Sequence, residues 1–366
     1  MTIDDIAPTL QRGLGPKGTA YLLDIMGSAE AIYSAGEEEL VTRCELRRDI
    51  AHDIAAKSTH RQAEDEARYI YRYGISAIAS TDPEYPPLLR ECSDYPHLLY
   101  FMGDAAAFEG RAVAMVGTRR ATQYGQRMCD RLVCRLSELE PCIVPVSGLA
   151  YGIDAAVARA ALQHGLRTVA VIANPLPDIT PAQHRDLSRD IIAHGGAIVT
   201  ELHSQTKQNG SLFIPRNRII AGMSEGTVVI ETPLKGGSLS TASFADGYGR
   251  AVMAVPGRAD DKFSAGANAL ITERRAAMVC TGDDIARELG WHISVPGIIP
   301  KREPAQTPVT SDEQTLLSCI GAGESPDMET LSERSQIPAG QLAALLLELE
   351  LAGLIRKLPG QRYERV

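Results

Sequence analysis

The sequence predicts an α/β protein built around a doubly wound parallel sheet. From Ala112 onward, short apolar runs alternate with helical stretches, which is the pattern of parallel strands joined by right-handed crossovers. The chain before and after this region is mostly helical, so a small domain is expected on each side of the sheet. The expected strands cover 112–116, 142–146, 168–173, 197–199, 227–230 and 251–255.

Changes in composition place the domain boundaries. At 366 residues the chain is long enough for two or three domains. We expect a small helical domain, a proline-punctuated connector, the sheet domain, a proline-rich linker and a second small domain. Their ranges are 1–75, 76–104, 105–290, 291–309 and 310–366.

The first domain carries a glycine turn, Gly13-Leu14-Gly15, followed by a helical run from Thr19 to Met26. A helix-hairpin-helix, whose turn amides hold a phosphate, has this pattern. A plain helical bundle with a glycine turn has it as well. The acidic balance of residues 1–75 favours the bundle.

The last domain shows three short helical stretches followed by a hairpin, which is typical of a winged helix. The third helix of such a domain usually reads DNA. Here that helix begins near Gln341, contains Glu348 and Glu350, and has no Lys or Arg. Since a phosphate-lined groove repels such a helix, we favour a partner-docking or structural role over duplex reading.

Charge is distributed unevenly along the chain. The net charge of −9 taken alone argues against a nucleic-acid partner. Residues 105–280, however, carry 19 basic and 15 acidic side chains, a net charge of +4. A polyanion is therefore expected to bind the middle domain.

Several classes of protein are not supported by the sequence. It has no apolar run of the roughly 18 residues that a membrane helix needs, and Met1 is not followed by a signal-peptide pattern. The seven cysteines are scattered, without a Cys-x-x-Cys pair. We expect reduced thiols, no membrane span and a cytoplasmic location.

The first predicted strand, Ala112–Val116, ends in a basic turn. Gly117 and Thr118 stop the apolar run, and Arg119 and Arg120 add positive charge. A helix follows, so its free N–H groups and the two guanidinium groups would meet at one place. An ordinary strand-to-helix turn with two solvated arginines has the same pattern.

Further turns with small, polar or basic residues follow other predicted strands. A single glycine turn at the end of a strand is ordinary architecture. Ligands of doubly wound sheets, however, bind at the carboxyl ends of the strands. Because several such turns would meet at those ends, the sequence favours one anion-binding rim formed by them together. The contributing residues are expected to be Ser147, Gly148, Ala150, Gly152, Arg216, Asn217, Arg218, Gly237, Ser238 and Thr241.

Motifs that would add catalysis to this rim are missing from the sequence. It contains neither Gly-x-x-x-x-Gly-Lys-Ser/Thr nor Gly-x-Gly-x-x-Gly, and its histidines lack metal-ligand spacing. We therefore predict no catalytic residue, cofactor or metal. The rim is expected to hold phosphates rather than to cleave a substrate.

Taken in order, the motifs resemble the DNA-processing protein A family, also called DprA or Smf. The resemblance covers most of the middle domain. The sequence departs from the family pattern in three places. Ala158 stands where the family has a His, and the other two departures are residues 174–181 and Arg274-Arg275. The matching stretches are Tyr85-Pro86, Val113–Gly125, Val146–Leu162, Phe213–Gly222, Gly237–Ala242, Ala254–Gly257 and Asn268–Ile271.

The resemblance implies a Rossmann-like domain that binds single-stranded DNA, flanked by a SAM or helix-hairpin-helix-like domain and a winged-helix-like domain. It implies a homodimer that is not an enzyme, protects incoming DNA and helps load a RecA-type recombinase in natural transformation. The family's phosphate pocket falls on the rim described above. Because aromatic residues make up only 5% of the chain, we expect little base stacking and a steep salt dependence.

Two other functions remain open at this point. Related Rossmann-like nucleotide phosphoribohydrolases remove a base from nucleoside monophosphates and use a Glu after a glycine turn. The matching stretch here, Lys235 to Phe244, has no Glu at its helix start. A purely structural adaptor that works through its end domains would leave the basic rim unexplained.

Overall fold

The protein forms two compact units, Met1–Ile293 and Ser294–Val366. The structure is a computed structural model that describes residues 1–291, 311–321, 325–351, 354–358 and 362–365. The linker predicted at 291–309 lies outside the described residues apart from Trp291. No helix within these ranges is long and apolar enough to cross a membrane.

The first unit begins with six short helices. Thr2 and Asp5 form a capping box at the first helix, and Gly27 ends the second helix in a left-handed conformation with φ of 84°. The helices are α1 Ile3–Leu10, α2 Pro16–Met26, α3 Ala29–Ser34, α4 Glu37–Arg43, α5 Arg48–Ala55 and α6 His60–Tyr73.

The rest of the first unit is a nine-stranded sheet in the order β1-β2-β6-β5-β4-β3-β7-β8-β9. Within this order, the seven strands β6-β5-β4-β3-β7-β8-β9 are each parallel to their neighbours, which confirms the predicted Rossmann-like fold. The strands are β1 Ser76–Ala79, β2 Leu98–Gly103, β3 Arg111–Val116, β4 Ile143–Ser147, β5 Val169–Val171, β6 Ala197–Thr200, β7 Gly226–Val229, β8 Ala251–Ala254 and β9 Ala277–Met278.

Helices cover both faces of this sheet. In β3, Val113 and Met115 pack into a core shared with α8 and α9, whereas Ala114 and Val116 pack into a core shared with α11 and α12. Burial on both faces explains why the strand is a continuous apolar run. The helices are α7 Pro87–Arg90, α8 Gln123–Leu139, α9 Ile153–Gln163, α10 Arg185–Ala193, α11 Phe213–Gly222, α12 Ser238–Gly247, α13 Ala265–Thr272 and α14 Gly282–Glu288.

Residues 76–104, for which the sequence predicts an extended connector, contribute two strands to the sheet. β2 pairs antiparallel with β6, with Tyr100 opposite Thr200, and β1 pairs antiparallel with β2. Leu98 and Leu99 of β2 are fully buried. Antiparallel neighbours need no helical crossover, so the alternation that identifies the other strands is missing from this segment.

The second unit has the winged-helix order of three helices and a hairpin, as predicted. Its helices pack around a core that includes Leu316, Leu331 and Leu346, and Ile355 and Tyr363 of the hairpin complete that core. The elements are α15 Ser311–Ser318, α16 Met328–Ser335, α17 Ala339–Leu351, β10 Ile355–Leu358 and β11 Arg362–Arg365.

A buried carboxylate fastens the N-terminal helices to the sheet. Glu66 of α6 is 1% exposed and accepts hydrogen bonds from the Ser204 N–H, at 2.9 Å, and from its hydroxyl. Ser204 lies in the loop that leads from β6 toward α11. The helical segment and this loop are therefore coupled through one side chain.

We expect Glu66→Ala to lower the free energy of unfolding by about 1.5–3 kcal/mol, because it leaves the Ser204 donors without a charged acceptor. Urea denaturation measures the change. Glu64→Ala, on an exposed position of the same helix, is the control and should shift stability by less than about 0.5 kcal/mol. Equal losses in the two variants would contradict this role for Glu66.

Candidate nucleic-acid interface

A cleft of about 220 Å³ opens at the carboxyl ends of the central strands. The turn after β3, the loop after β4, the first turns of α11 and the segment between β7 and α12 surround it. Several of the predicted rim residues line it together, as the convergence of strand ends requires. These are Gly117, Thr118, Arg119, Ala150, Arg216, Asn217, Gly237, Ser238 and Thr241.

Arg216 lies at the floor of the cleft and is 5% exposed. Its Nη1 donates to the carbonyl oxygen of Val171, and its Nε has no hydrogen-bond partner among the described residues. Burial lowers the pKa of the Arg216 guanidinium to about 10, although the nearby Asp154 carboxylate opposes the shift. The guanidinium thus stays charged at neutral pH and keeps one donor available.

Asp154 organises the loop that follows β4. Its Oδ2 accepts a hydrogen bond from the Ala150 N–H at 3.3 Å, and its carboxylate is almost completely buried. Burial raises the pKa of the Asp154 carboxyl, and the charge of Arg216 opposes the rise. The sequence indicates only a charge at a helix N-terminus here, whereas the structure places the carboxylate in the cleft as a counter-charge to Arg216.

Gly148 and Gly152 do not line the cleft, but they leave the space that Arg216, Asp154 and the Thr118 carbonyl oxygen occupy. A Cβ on Gly148 would lie 2.0 Å from Nη1 of Arg216 and 2.6 Å from Oδ2 of Asp154. Gly152 has φ of +79°, and a Cβ there would lie 2.2 Å from the Thr118 carbonyl oxygen. Both glycines leave room for neighbouring groups rather than facing a ligand.

Ser147, also predicted as a rim residue, joins two strands. Its hydroxyl donates to the carbonyl oxygen of Met115 in β3 at 2.8 Å. The side chain is buried and is not part of the cleft lining. Ser147 therefore fixes the end of β4 beside the end of β3.

The turn after β3 presents its two arginines to solvent. The guanidinium carbon of Arg119 lies 4.6 Å from the ring centroid of Phe213, and that of Arg120 lies 5.8 Å from the ring centroid of Phe263. In the part of the chain that the structure describes, neither arginine has an acidic partner within 4 Å. Arg119 lines the cleft and Arg120 lies outside its lining.

A buried glutamate that the sequence analysis did not identify holds this turn. Glu231 follows β7, and its carbonyl oxygen accepts from the Thr118 N–H at 2.6 Å. Its side chain is fully buried and accepts from the Thr122 N–H at 3.0 Å and from the Thr122 hydroxyl at 2.5 Å. An acidic residue directly after a buried strand is the sequence feature that could have revealed it.

The start of α12 provides backbone donors on the opposite wall. Gly237 is the N-cap residue, and no described side chain caps the helix. The Ser238 hydroxyl donates to Oγ1 of Thr232 at 2.8 Å, and Nδ2 of Asn217 donates to Oγ of Ser240 at 2.9 Å. The N–H groups of Leu239 and Ser240 already donate to the carbonyl oxygens of Gly236 and Gly237, whereas no described hydrogen bond uses the N–H of Ser238, which is therefore the first-turn amide available to an anion.

Arg218 does not join this cluster. It is buried and forms two hydrogen bonds with the Glu201 carboxylate, at 2.9 and 2.6 Å, and its Nε lies 3.8 Å from Asp94. Residues two apart on a helix point in widely different directions, so Arg216 and Arg218 cannot share one site. Arg218, predicted from its position in the sequence to lie at the rim, is therefore outside the cleft lining.

Comparisons with known proteins identify the family. A family model described as DNA recombination-mediator protein A matches residues 76–290, and the model of the DprA winged helix domain matches residues 300–361. The chain belongs to the DprA family. The first match covers the sheet and its cleft, and the second supports the winged-helix prediction.

Relatives of the DprA family resemble the chain over most of its length. Protein Smf of Escherichia coli is 35% identical over 279 residues, which cover 75% of this chain and 74% of that protein. A putative DNA processing protein DprA of Mycobacterium tuberculosis is 31% identical over 348 residues, which cover 92% and 87% of the two chains.

Two solved DprA structures also match. The crystal structure from Streptococcus pneumoniae has a TM-score of 0.69 and 30% identity, and the match covers 80% of this chain and 99% of that one. The protein from Helicobacter pylori, whose structure was described for its single-stranded DNA binding mode, has a TM-score of 0.53 and 26% identity, with 60% and 98% covered.

We expect Gly148→Ala to destabilise the fold by about 1–3 kcal/mol, because its methyl group would overlap the guanidinium of Arg216. Gly247→Ala is the control, since a Cβ there meets no described atom within 4 Å. Thermal unfolding of both variants measures the difference. A Gly148→Ala protein as stable as the control would show that Arg216 can leave its buried position at little cost.

Proposed function

We propose that the cleft binds the phosphate backbone of single-stranded DNA. The observation that carries this proposal is the buried, charged Arg216, whose Nε points to no partner among the described residues. Exposed Arg119 stands at the mouth of the same cleft, and uncapped α12 begins on its wall. Charged donors with few competing acceptors suit a phosphate oxygen. The single-stranded DNA binding described for the Helicobacter pylori protein supports the same ligand.

The cleft is expected to discriminate little among DNA sequences. Its donors are guanidinium groups and backbone amides, which contact phosphates and carry no base information. Phe213 already lies against Arg119, and Tyr151 already contacts the His184 ring edge-on and donates its hydroxyl to Gln183. Base stacking is therefore a minor contribution, and ionic strength controls the affinity.

Membership of the DprA family supports a further proposal about the biological role. We propose that the protein acts in the cytoplasm as a homodimer that protects incoming DNA and helps load a RecA-type recombinase in natural transformation. The description of the matching family model as a recombination mediator supports the recombinase step. The dimer and the recombinase contact are tested by sedimentation and by pull-down with purified RecA.

The proposed function is binding without catalysis. Asp154 is the one acidic residue among the described residues that line the cleft. Its carboxylate accepts from the Ala150 N–H and faces Arg216, so it is committed to holding the loop and the arginine. The start of α12 supplies Ser238 and Thr241 and no acid. A base-removing hydrolase needs a positioned carboxylate that is free to act.

We expect Arg119→Ala to weaken binding of labelled oligo-dT roughly tenfold, equivalent to about 1.4 kcal/mol. The slope of log K against log salt should become less negative by about 0.7, the value for one lost phosphate contact on a single strand. Fluorescence anisotropy across a salt series measures both. Arg159→Ala, which removes an exposed arginine of α9 outside the cleft, should leave both values unchanged.

Arg216→Lys tests the floor of the cleft and keeps a positive charge beside Asp154. Retained charge should limit the loss of stability that an uncompensated buried carboxylate would cause. Binding of oligo-dT should still fall, because the Nε donor is gone. Wild-type affinity in both Arg119→Ala and Arg216→Lys would place the DNA site elsewhere on the protein.

Incubation with nucleoside monophosphates tests the hydrolase alternative. Chromatography should detect no free base above the level of a blank. If base is released by the wild type and lost in Asp154→Asn, the cleft is catalytic and the binding-only proposal is wrong.

A further inference from the structure

The Glu231 carboxylate is buried without a cation to pair with it. Glu231 lies two residues after the end of β7, and its side chain is fully buried. Among the described residues, no basic side chain lies within 4 Å of its carboxylate oxygens. A buried carboxylate is costly unless hydrogen bonds or opposite charge replace the water that it has lost. The compensating groups are therefore other than salt-bridge partners.

The start of α8 provides that compensation. Oε2 of Glu231 accepts from the Thr122 N–H at 3.0 Å, and Oε1 accepts from the Thr122 hydroxyl at 2.5 Å. Thr122 is the N-cap residue of α8, and its hydroxyl in turn accepts from the Gly125 N–H at 3.2 Å. Because α8 has 17 residues, the positive end of a long helix dipole faces the carboxylate. The side chain is thus held as an anion is held at a helix N-terminus.

This helix start is the place where a doubly wound sheet ordinarily binds a nucleotide. From β3 the chain continues through β4, β5 and β6 on one side of the sheet, whereas β7, β8 and β9 lie on the other side. The carboxyl ends of β3 and β7, which pair in parallel with Val116 opposite Val229, therefore form the switch point. Nucleotide phosphates at such a point lie on the N-terminus of the helix that follows the first parallel strand. That helix is α8, and Glu231 occupies its N-terminus.

Two glycines leave room for Glu231 at this position. A Cβ on Gly125 would lie 2.1 Å from Oε2 of Glu231, and a Cβ on Gly117 would lie 2.8 Å from the Glu231 carbonyl oxygen. In nucleotide-binding sheets, glycines after the first strand let the backbone approach the phosphates closely. Here the close approach is to a residue of the protein itself. The space beside α8 therefore holds an anion that the chain supplies.

The cleft lies apart from this position. Its lining includes Thr118 and Arg119 but not Thr122, Gly125 or Glu231. Helix α8 covers one face of the sheet, whereas α11 and α12, which line the cleft, cover the other. A phosphate placed beside α8 would meet the negative charge of the carboxylate in a buried site, where repulsion between like charges is strong. The two anion positions at the switch point are therefore unequal, since one is already filled.

We propose that the Glu231 carboxylate is a built-in substitute for a ligand phosphate. It fills the anion position at the start of α8 and excludes the phosphate group of a nucleotide from that position. Glu231 is therefore a specificity-determining residue, because a nucleotide that needs α8 to hold its phosphate is rejected. The inference does not depend on DNA binding by the cleft, and its test contains no DNA.

The test removes the carboxylate and supplies a free anion in its place. Thermal unfolding of the full chain is measured for wild type, Glu231→Ala and Glu231→Gln in sodium chloride, acetate and phosphate at equal pH and ionic strength. Glu231→Ala should have a lower Tm than wild type in chloride. Acetate and phosphate should each raise that Tm, by about 2–4 °C at about five times the dissociation constant of the anion. Wild type and Glu231→Gln should show no such gain, because a side chain still fills the position.

Acetamide is the matched control, since it has the shape of acetate without the charge, and it should give no gain. Glu231→Ser, which also vacates the position, is measured in parallel. For a variant that is unfolded in chloride, recovery of the far-UV circular dichroism signal in each anion is the measurement. Equal gains with acetamide or in wild type, or no gain with either anion, would overturn the proposal. A gain in acetate alone would limit Glu231 to capping α8 and would contradict its role as a phosphate substitute.

Discussion

The buried guanidinium of Arg216 is the constraint on which the loops at the carboxyl ends of the strands depend. Taking a charged arginine out of water is costly unless other groups replace its hydration. Arg216 is 5% exposed and receives that replacement from the Val171 carbonyl and from the charge of Asp154. Its Nε remains without a described partner. Under the proposed function, this free N–H donates to a phosphate oxygen of the bound strand.

The surrounding loops are shaped by this one side chain. Gly148 has no Cβ because the guanidinium and the Asp154 carboxylate occupy that space. On the other side, Glu231 holds both ends of the turn that carries Arg119, through its carbonyl and its carboxylate. A preorganised site of this kind spends little free energy on ordering its own loops when a ligand binds.

Much of this could be predicted from the sequence, and the failures have physical causes. Apolar runs such as Val113–Val116 predicted the parallel strands, because burial on both faces requires continuous apolar residues. Strand β2 could not be predicted from the alternation of strands and helices, because it pairs antiparallel with β6 and an antiparallel pair needs no crossover helix. Its position in the sequence places Arg218 beside the other rim residues, whereas its direction on α11 brings its guanidinium to the Glu201 carboxylate.

Other features depend on three-dimensional proximity and carry no local sequence pattern. Asp154 faces Arg216 across 62 positions of the chain, and Glu231 contacts Thr122 across 109. The charge of residues 310–366 also misleads when it is summed, since four of the five cations lie in the hairpin while the helices carry most of the acidic residues. Spatial distribution of charge, rather than its total, determines where a polyanion binds.

The most direct test is a crystal structure of the chain with a short oligothymidylate. We predict a phosphate in the cleft, with one oxygen about 2.7–3.2 Å from Nε of Arg216 and the Arg119 guanidinium beside the same strand. A strand bound along another surface, with Nε of Arg216 still without a ligand contact, would contradict the central claim that this buried arginine forms the DNA site.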